Sequence, residues 1–365
     1  MSDERRDFIK AAVTVAIASG TGACASSLHE RRATLDETPR LNLTNLPTSL
    51  NPMPNLSRRL GGPDLFVKRD DVMELAHGGN KTRKLEYTLA DASAKGAKAV
   101  VTQGGLQSNH VRQTCSAAAR IGLEAHVVLS NPVPEMEAQL TGSGNFLMDQ
   151  LMGAHIYRAG GDRSPVVERV MGELLDREMA PYNIPTGASD GIGSLGYVNA
   201  ARELMQQWDA MNILPSHVVT ASGSYGTQAG LLFGLRYFGN RETQVVGISV
   251  SADRQRSRAR MRSVLAMISE TLGAPPDLVS DADIIIHDEF IGAGYGHPTE
   301  AGISAMKTVA ENEGIILDPV YTGKAMSGLL VLAMVGDGPL KNGQDIVFLH
   351  TGGAPAIHPY AEFLI

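Results

Sequence analysis

The 365-residue chain carries 32 Lys and Arg against 39 Asp and Glu, a formal net charge of −7, with 43% hydrophobic and 19% charged residues. This is the composition of a globular protein with a sizeable core, and it excludes nucleic acid as a main partner, which needs a basic surface. Two cysteines, Cys24 and Cys115, exclude a disulfide framework, and no CxxC or HExxH spacing points to a metal.

The first residues, MSDERRDFIKAAVTVAIASGTGACASS, read as an address. Arg5-Arg6 is followed by a short apolar run from Ala11 to Ser19, and Ala23-Cys24-Ala25 fits an A-x-A cleavage site. This pattern predicts a twin-arginine-type export signal over 1–25 and a periplasmic protein. The apolar run is too short for a stable membrane span. Thr21-Gly22-Ala23-Cys24 is also a weak lipobox, so lipid attachment at Cys24 is a second reading. A polar, proline-bearing linker follows over 26–45.

Beyond the linker, short apolar runs alternate with helical patterns. The strand candidates are DLFVKR, KAVVTQ, AHVVLS, AHIYRA, HVVTAS, TQVVGISV, ADIIIH and DIVFLH. Continuous apolar strands separated by helices predict an α/β protein, two lobes each with a mostly parallel sheet flanked by helices. The large domain is expected over 46–83 and 192–365, the small one over 84–191. Cys115, inside TCSAAARIG, reads as a packed core thiol, and DRQRSRARMR (253–262) as one solvated helix face.

The loops after strands carry chemistry in such folds. HGGNKTRKLEY places Lys81 on a glycine turn entering a helix, with Arg83 and Lys84 close behind. Taken alone, it fits a solvated corner as well as a reactive amine. In VVTQGGLQSNHVRQ a Gly-Gly turn precedes Ser108, Asn109 and His110 at a helix start, where free N–H groups receive a carboxylate or simply need an N-cap. In VVTASGSYGTQAGL, residues Ser222, Gly223, Ser224, Gly226 and Thr227 form a Gly/Ser/Thr cup without a P-loop lysine, suited to one monoester phosphate. FLHTGGAPA supplies a third turn at Thr351, Gly352 and Gly353. GIGSLG (191–196) matches G-x-G-x-x-G, but the strand after it, HVVTAS, ends in no acid, so nicotinamide binding and oxidoreductase chemistry are poorly supported.

A lysine on a glycine turn plus a cup for one phosphate suggests pyridoxal phosphate, which needs an amine for its aldehyde and an anchor for its phosphate. The sequence resembles the D-cysteine desulfhydrase/ACC deaminase family of fold type II enzymes. The matching stretches are VKRDD (67–71), GGNKTRKLEY (78–87), QSNHVRQ (107–113), ASGSYGTQAGL (221–231), GAGYGHPTEAG (292–302), GIILDPVYTGKAMSGL (314–329) and LHTGGAPA (349–356). The resemblance implies that Lys81 binds the cofactor covalently and then serves as the base at Cα. It places Asn109 against the ring oxygen, and Ser108 with the backbone of Asn109 and His110 against the substrate carboxylate. It assigns Ser222 to Thr227 to the phosphate, Tyr295 and Tyr321 to the flanks of a small amino-acid substrate, and Thr322 to the pyridine nitrogen. It also implies a homodimer. Arg83 and Lys84 either cap local carboxylates or keep Lys81 neutral by repulsion.

Three positions depart from the family pattern. Tyr225 stands where a small residue is expected. Thr322 follows Tyr321 where ACC deaminases carry an acid, and His110 replaces a glutamine. A threonine leaves the pyridine nitrogen largely neutral, which favours elimination over cyclopropane opening. The expected reaction is conversion of D-cysteine to pyruvate, sulfide and ammonia, with L-cysteate sulfo-lyase or ACC deaminase as alternatives. An exported amino-acid-binding protein is the reading outside enzymes.

Overall fold

The structure, a computed structural model, describes residues 34–334 and 345–365. The expectations for the export signal, Arg5, Arg6 and Cys24 lie outside the described residues. Ten strands are present among these: β1 Leu50–Pro52, β2 Leu65–Arg69, β3 Ala99–Gly105, β4 Glu124–Ser130, β5 His155–Arg158, β6 Pro181–Asn183, β7 His217–Ser222, β8 Gln244–Ser249, β9 Ile285–His287 and β10 Ile346–His350. The described helices are α1 Pro54–Leu60, α2 Lys81–Ala94, α3 Asn109–Ile121, α4 Glu137–Gly142, α5 Gly144–Leu151, α6 Ser164–Asp176, α7 Gly191–Met211, α8 Gly226–Tyr237, α9 Arg254–Leu272, α10 Glu300–Glu313, α11 Thr322–Met334 and α12 Ala361–Leu364.

The strands form two sheets. One runs β1-β2-β10-β7-β8-β9, the other β5-β4-β3-β6. All pairings are parallel except β1 with β2. Every one of the eight apolar runs forms a strand. The two strands without such a run, β1 and β6, span three residues each, and each includes a proline at one end. They are too short to show a period, and they pair because longer neighbours offer free edges. Strands β7 and β10 are buried along their whole length, as expected of parallel strands covered on both faces.

Parallel strands point their carboxyl ends the same way, so the loops leaving β3, β7 and β10 gather at helix starts. Helix α7 packs against both α2 and α8, and its glycines explain the close approach of α2 and of the loop before α7. A Cβ on Gly193 would stand 2.2 Å from the Ala188 carbonyl, and one on Gly196 would stand 2.2 Å from the Arg83 carbonyl. GIGSLG therefore serves close helix packing. It is capped by Asp190, whose carboxylate accepts from Gly193 N–H at 2.7 Å.

One core group stands out as a liability. Asp149 on α5 is fully buried, and neither carboxylate oxygen meets an N–H or O–H donor. Its neighbour is the Cys115 thiol, a weak donor, itself buried in the core as the sequence indicated. Burial pushes the Asp149 carboxyl up to about 8, with Cys115 and Arg112 pulling the other way. The folded state thus holds a proton that the unfolded chain releases near pH 4. Its stabilising contribution is full below that pH and is lost as pH rises toward about 8, by at most about 1.4 kcal/mol per pH unit. Asp149→Asn should flatten the decline of stability between pH 4 and 8 and raise Tm at pH 7.5, as chemical and thermal denaturation across that range will report.

Candidate active site

Lys81 opens α2 from a turn of unusual backbone. Ala76, His77, Gly78 and Gly79 all have positive φ, at 42°, 66°, 70° and 124°. The two glycines are required by space as well as by angle. A Cβ on Gly78 would stand 2.0 Å from the Asp71 carbonyl, and one on Gly79 would stand 2.6 Å from Gln113 Nε2. The turn is pinned by Arg112 on α3, whose guanidinium donates to the Ala76 carbonyl and, at 3.0 Å, to the Gly78 carbonyl. Asn80 fixes the other side. Its N–H donates to the Thr351 carbonyl at 3.0 Å and its side chain donates to Thr227 Oγ1 at 2.9 Å.

Above this turn lies a cavity of about 420 Å³. Lys81, Ser108, Asn109, His110, Gly223, Ser224, Thr227, Tyr295 and Tyr321 all line it, so nine of the expected site residues share one space. Lys81 is half-buried, and burial lowers its ammonium to about 8. Its amine has no hydrogen bond or ion pair among the described residues. Ser108 caps α3, its hydroxyl accepting from Val111 N–H at 3.3 Å, as the capping reading expects. Asn109 is oriented by Asn145, whose amide donates to Asn109 Oδ1 at 2.8 Å while accepting from Arg112 Nε at 2.7 Å. His110 is held through Nε2 by the Thr102 hydroxyl at 2.8 Å. Burial, then the charges of Lys81 and Lys84, hold its imidazole well below the usual histidine range.

Three expected residues stand outside the cavity lining. The Ser222 hydroxyl turns into the protein and donates to Gln228 Oε1 at 2.8 Å. Gly226 supplies space: a Cβ there would stand 2.5 Å from Lys84 Nζ. Thr322 is fully buried, and its hydroxyl donates to Asp318 Oδ1 at 2.7 Å while accepting from Asp318 N–H at 2.7 Å. Tyr225 lines the cavity in the left-handed region at φ 67°, and its phenol reaches away to the hydroxyls of Ser249 and Ser257. That anchoring lets a large residue occupy a loop where a small one was expected.

The two cations beside Lys81 have different partners. Arg83 forms ion pairs with Asp70 and Glu203, both at 2.9 Å. Lys84 donates to the Gly187 carbonyl at 2.6 Å and to Ser189 Oγ at 2.7 Å, and Ser189 in turn donates to Ser224 at 2.8 Å. Burial, then repulsion from Lys81, lowers Lys84 well below the usual lysine range. Opposite, the Tyr295 and Tyr321 hydroxyls share a short hydrogen bond, and burial raises both phenols.

Sequence reasoning missed Thr186, Gly187, Arg163 and Arg260 in the cavity wall. Thr186, Gly187 and Arg163 come from loops or a helix start without a motif, and Arg260 lies within α9, in the stretch DRQRSRARMR expected as a solvated face; only the fold brings them to the site. It missed likewise a cluster of Glu124, His126 and His155, whose donor atoms lie within 4.8 Å of one another across β4 and β5, where no sequence spacing could reveal them.

Residues 41–352 match the family model described as "Pyridoxal-phosphate dependent enzyme". The chain belongs to the pyridoxal-phosphate-dependent enzymes. A protein of Klebsiella pneumoniae subsp. pneumoniae named "D-cysteine desulfhydrase" is 42% identical over 335 residues, 89% of this chain and 97% of that one. A crystal structure of an "ACC deaminase homologue" is 36% identical with a TM-score of 0.81, covering 90% of this chain and 96% of that one. An L-serine ammonia-lyase from Rhizomucor miehei, 19% identical with a TM-score of 0.60 over 86% of this chain and 95% of that one, shares the fold. The fold type II architecture and the cofactor expected from the sequence are thereby established. The residues present fit that cofactor: a lone amine faces the cavity, and a cup of small and hydroxyl residues stands at the start of α8.

Two glycines, Gly78 in the turn before Lys81 and Gly122 at the far end of α3, separate backbone angle from space. Gly78→Ala meets both a positive φ and the Asp71 carbonyl, and should destabilise the fold by at least about 2 kcal/mol with loss of bound cofactor. Gly122→Ala, at φ 79° with no atom within 4 Å, should cost only about 1 kcal/mol and retain the cofactor. Urea denaturation and the cofactor's visible absorbance measure the two effects.

Proposed function

We propose that the protein is a β-eliminating carbon–sulfur lyase that converts D-cysteine and water to pyruvate, sulfide and ammonia. The supporting observation is the amine of Lys81, unpartnered at the cavity between a carboxylate-receiving helix start and a phosphate-sized cup. Pyridoxal phosphate, when bound, supplies the electron sink that makes the α-proton of an amino acid acidic.

This chain's residues divide the remaining work. Gly223, Ser224 and Thr227, with the N-terminus of α8, hold the phosphate, and Lys84 lies behind them, tied to the Gly187 carbonyl and to Ser189. The Ser108 hydroxyl and the first N–H groups of α3 receive the substrate carboxylate, because a helix start leaves such groups without intrahelical partners. The Lys81 amine takes the proton from Cα. An ammonium lowered to about 8 leaves an appreciable fraction of free base near neutral pH, which suits a general base. The Tyr295–Tyr321 pair holds a proton between two oxygens where the leaving group departs. A thiolate leaving group carries its own electron pair away, so the chemistry makes modest demands on the pyridine nitrogen. Thr322, whose hydroxyl is committed to Asp318, supports elimination over opening of a cyclopropane ring.

The same proposal includes export by the twin-arginine route to the periplasm, supported by ERRDFIK, a homodimer, and the two-domain division drawn from the sequence. Replacing Arg5 and Arg6 with Lys keeps the charge and should leave unprocessed, active protein in the cytoplasm. Normal export of that variant refutes the route.

Lys81→Ala should lose the visible absorbance of covalently bound cofactor and at least about a thousandfold in turnover, about 4 kcal/mol of barrier. Assays of sulfide, sulfite and pyruvate with D-cysteine, L-cysteate and 1-aminocyclopropane-1-carboxylate decide the reaction. A preference for the cyclopropane substrate refutes the elimination reading.

A further inference from the structure

The cavity wall contains Lys81, Arg163 and Arg260 and no aspartate or glutamate. Lys81 has its role, and Arg260 sits on the cup side, its guanidinium donating to the Ser189 carbonyl at 3.0 Å. Arg163 is different. It caps α6 in the turn that follows β5, on the small sheet, and is half-buried. Its Nε donates to Gln103 Oε1 at 3.0 Å, and Nη1 donates to Ser130 Oγ at 2.6 Å. Gln103 and Ser130 stand at the carboxyl ends of β3 and β4. Two neutral acceptors therefore aim the guanidinium, and no carboxylate pairs with it among the described residues. The remaining N–H groups are left for a ligand, since guanidinium carries five donors in a planar fork. It lines the same cavity as Ser108 and Tyr295, the residues that the proposed function places at the substrate.

We infer that Arg163 forms a second anion subsite, which receives a negatively charged group on the substrate's β-carbon. The α-carboxylate already has the start of α3, so a second fixed cation facing the substrate calls for a second anion. The substrate class then extends to α-amino acids with an acidic β-substituent, of which cysteate, carrying a sulfonate, is the eliminable example. The α-proton goes to the Lys81 amine, the Cβ–S bond breaks, and sulfur leaves with both electrons as sulfite. Water then releases ammonia and pyruvate, and no external oxidant or reductant takes part. Charge-assisted hydrogen bonds to a guanidinium are strong and geometrically selective, and a sulfonate keeps its charge at any pH where the enzyme folds.

This inference rests on the β-elimination reading above, and its test separates the two. Aspartate and asparagine have nearly the same shape, differ in charge at the β-substituent, and cannot eliminate. Calorimetric titration of the holoenzyme with both enantiomers of each should show aspartate binding at least tenfold tighter, about 1.4 kcal/mol. Arg163→Gln should erase that preference, and Arg163→Lys should restore part of it. In turnover, the ratio of kcat/KM for cysteate to that for β-chloroalanine, whose substituent is uncharged, should fall at least thirtyfold in Arg163→Gln, mainly through KM for cysteate. An unchanged ratio, or equal binding of aspartate and asparagine by the native enzyme, overturns the anion subsite. Failure of the native enzyme to form pyruvate from β-chloroalanine, D-cysteine or cysteate overturns the elimination reading instead.

Discussion

A buried arginine holds this active site together from behind. Arg83, two residues after Lys81, donates through Nε and Nη2 to both oxygens of Asp70 and through both terminal nitrogens to Glu203. Lys68 pairs with the same Glu203, and Tyr197 donates to Asp70. Two cations thus face two carboxylates. Burial alone would raise Asp70 and Glu203, yet the charges and hydrogen bonds of Arg83 hold both below the usual carboxylate range. The cluster joins β2, α2 and α7, and loss of one member would leave an uncompensated charge in the core, at a cost of about 3–5 kcal/mol. Whatever Lys81 does, it does from a helix whose first turn is fixed this way.

That anchoring explains how a strained turn persists beside a reactive amine. Four successive residues at positive φ are unfavourable, and they hold only because their surroundings over-determine them. Arg112 takes two of their carbonyls, and through Asn145 the same guanidinium is tied to Asn109. The glycines of the last loop close from the other side, with Gly352 so near that a Cβ would stand 2.8 Å from Gly79 Cα. The backbone around Lys81 is rigid while its side chain is free. Preorganised donors with a mobile amine are what alternation between cofactor binding and proton transfer requires.

Much of this was legible in the sequence. Eight apolar runs gave eight strands because a buried parallel strand must be apolar on both faces, and the glycine turns marked where backbone and ligand come close. The site residues reached by motif were those on strand-to-helix loops, Lys81, Ser108, Asn109 and Thr227 among them. Side-chain direction was not legible. Ser222 and Thr322 sit in matching motifs, yet their hydroxyls are committed to Gln228 and Asp318. Nor was convergence from distant segments: Arg83's partner Glu203 lies 120 residues away, and Arg163 reaches Gln103 across 60. Spacing in sequence carries no information about such pairs.

The commitment of Thr322 bears on the chemistry more than its identity does. Asp318 accepts from the N–H groups of Val320, Tyr321 and Thr322 and from the Thr322 hydroxyl, at the start of α11. A carboxylate in that position is favoured by the helix dipole and is engaged as an acceptor at each oxygen. It therefore holds the threonine hydroxyl as a donor, so that Thr322 offers only an oxygen lone pair to anything beyond it. An elimination whose leaving group departs as a stable anion tolerates that arrangement, whereas a reaction that must store negative charge on the ring does not.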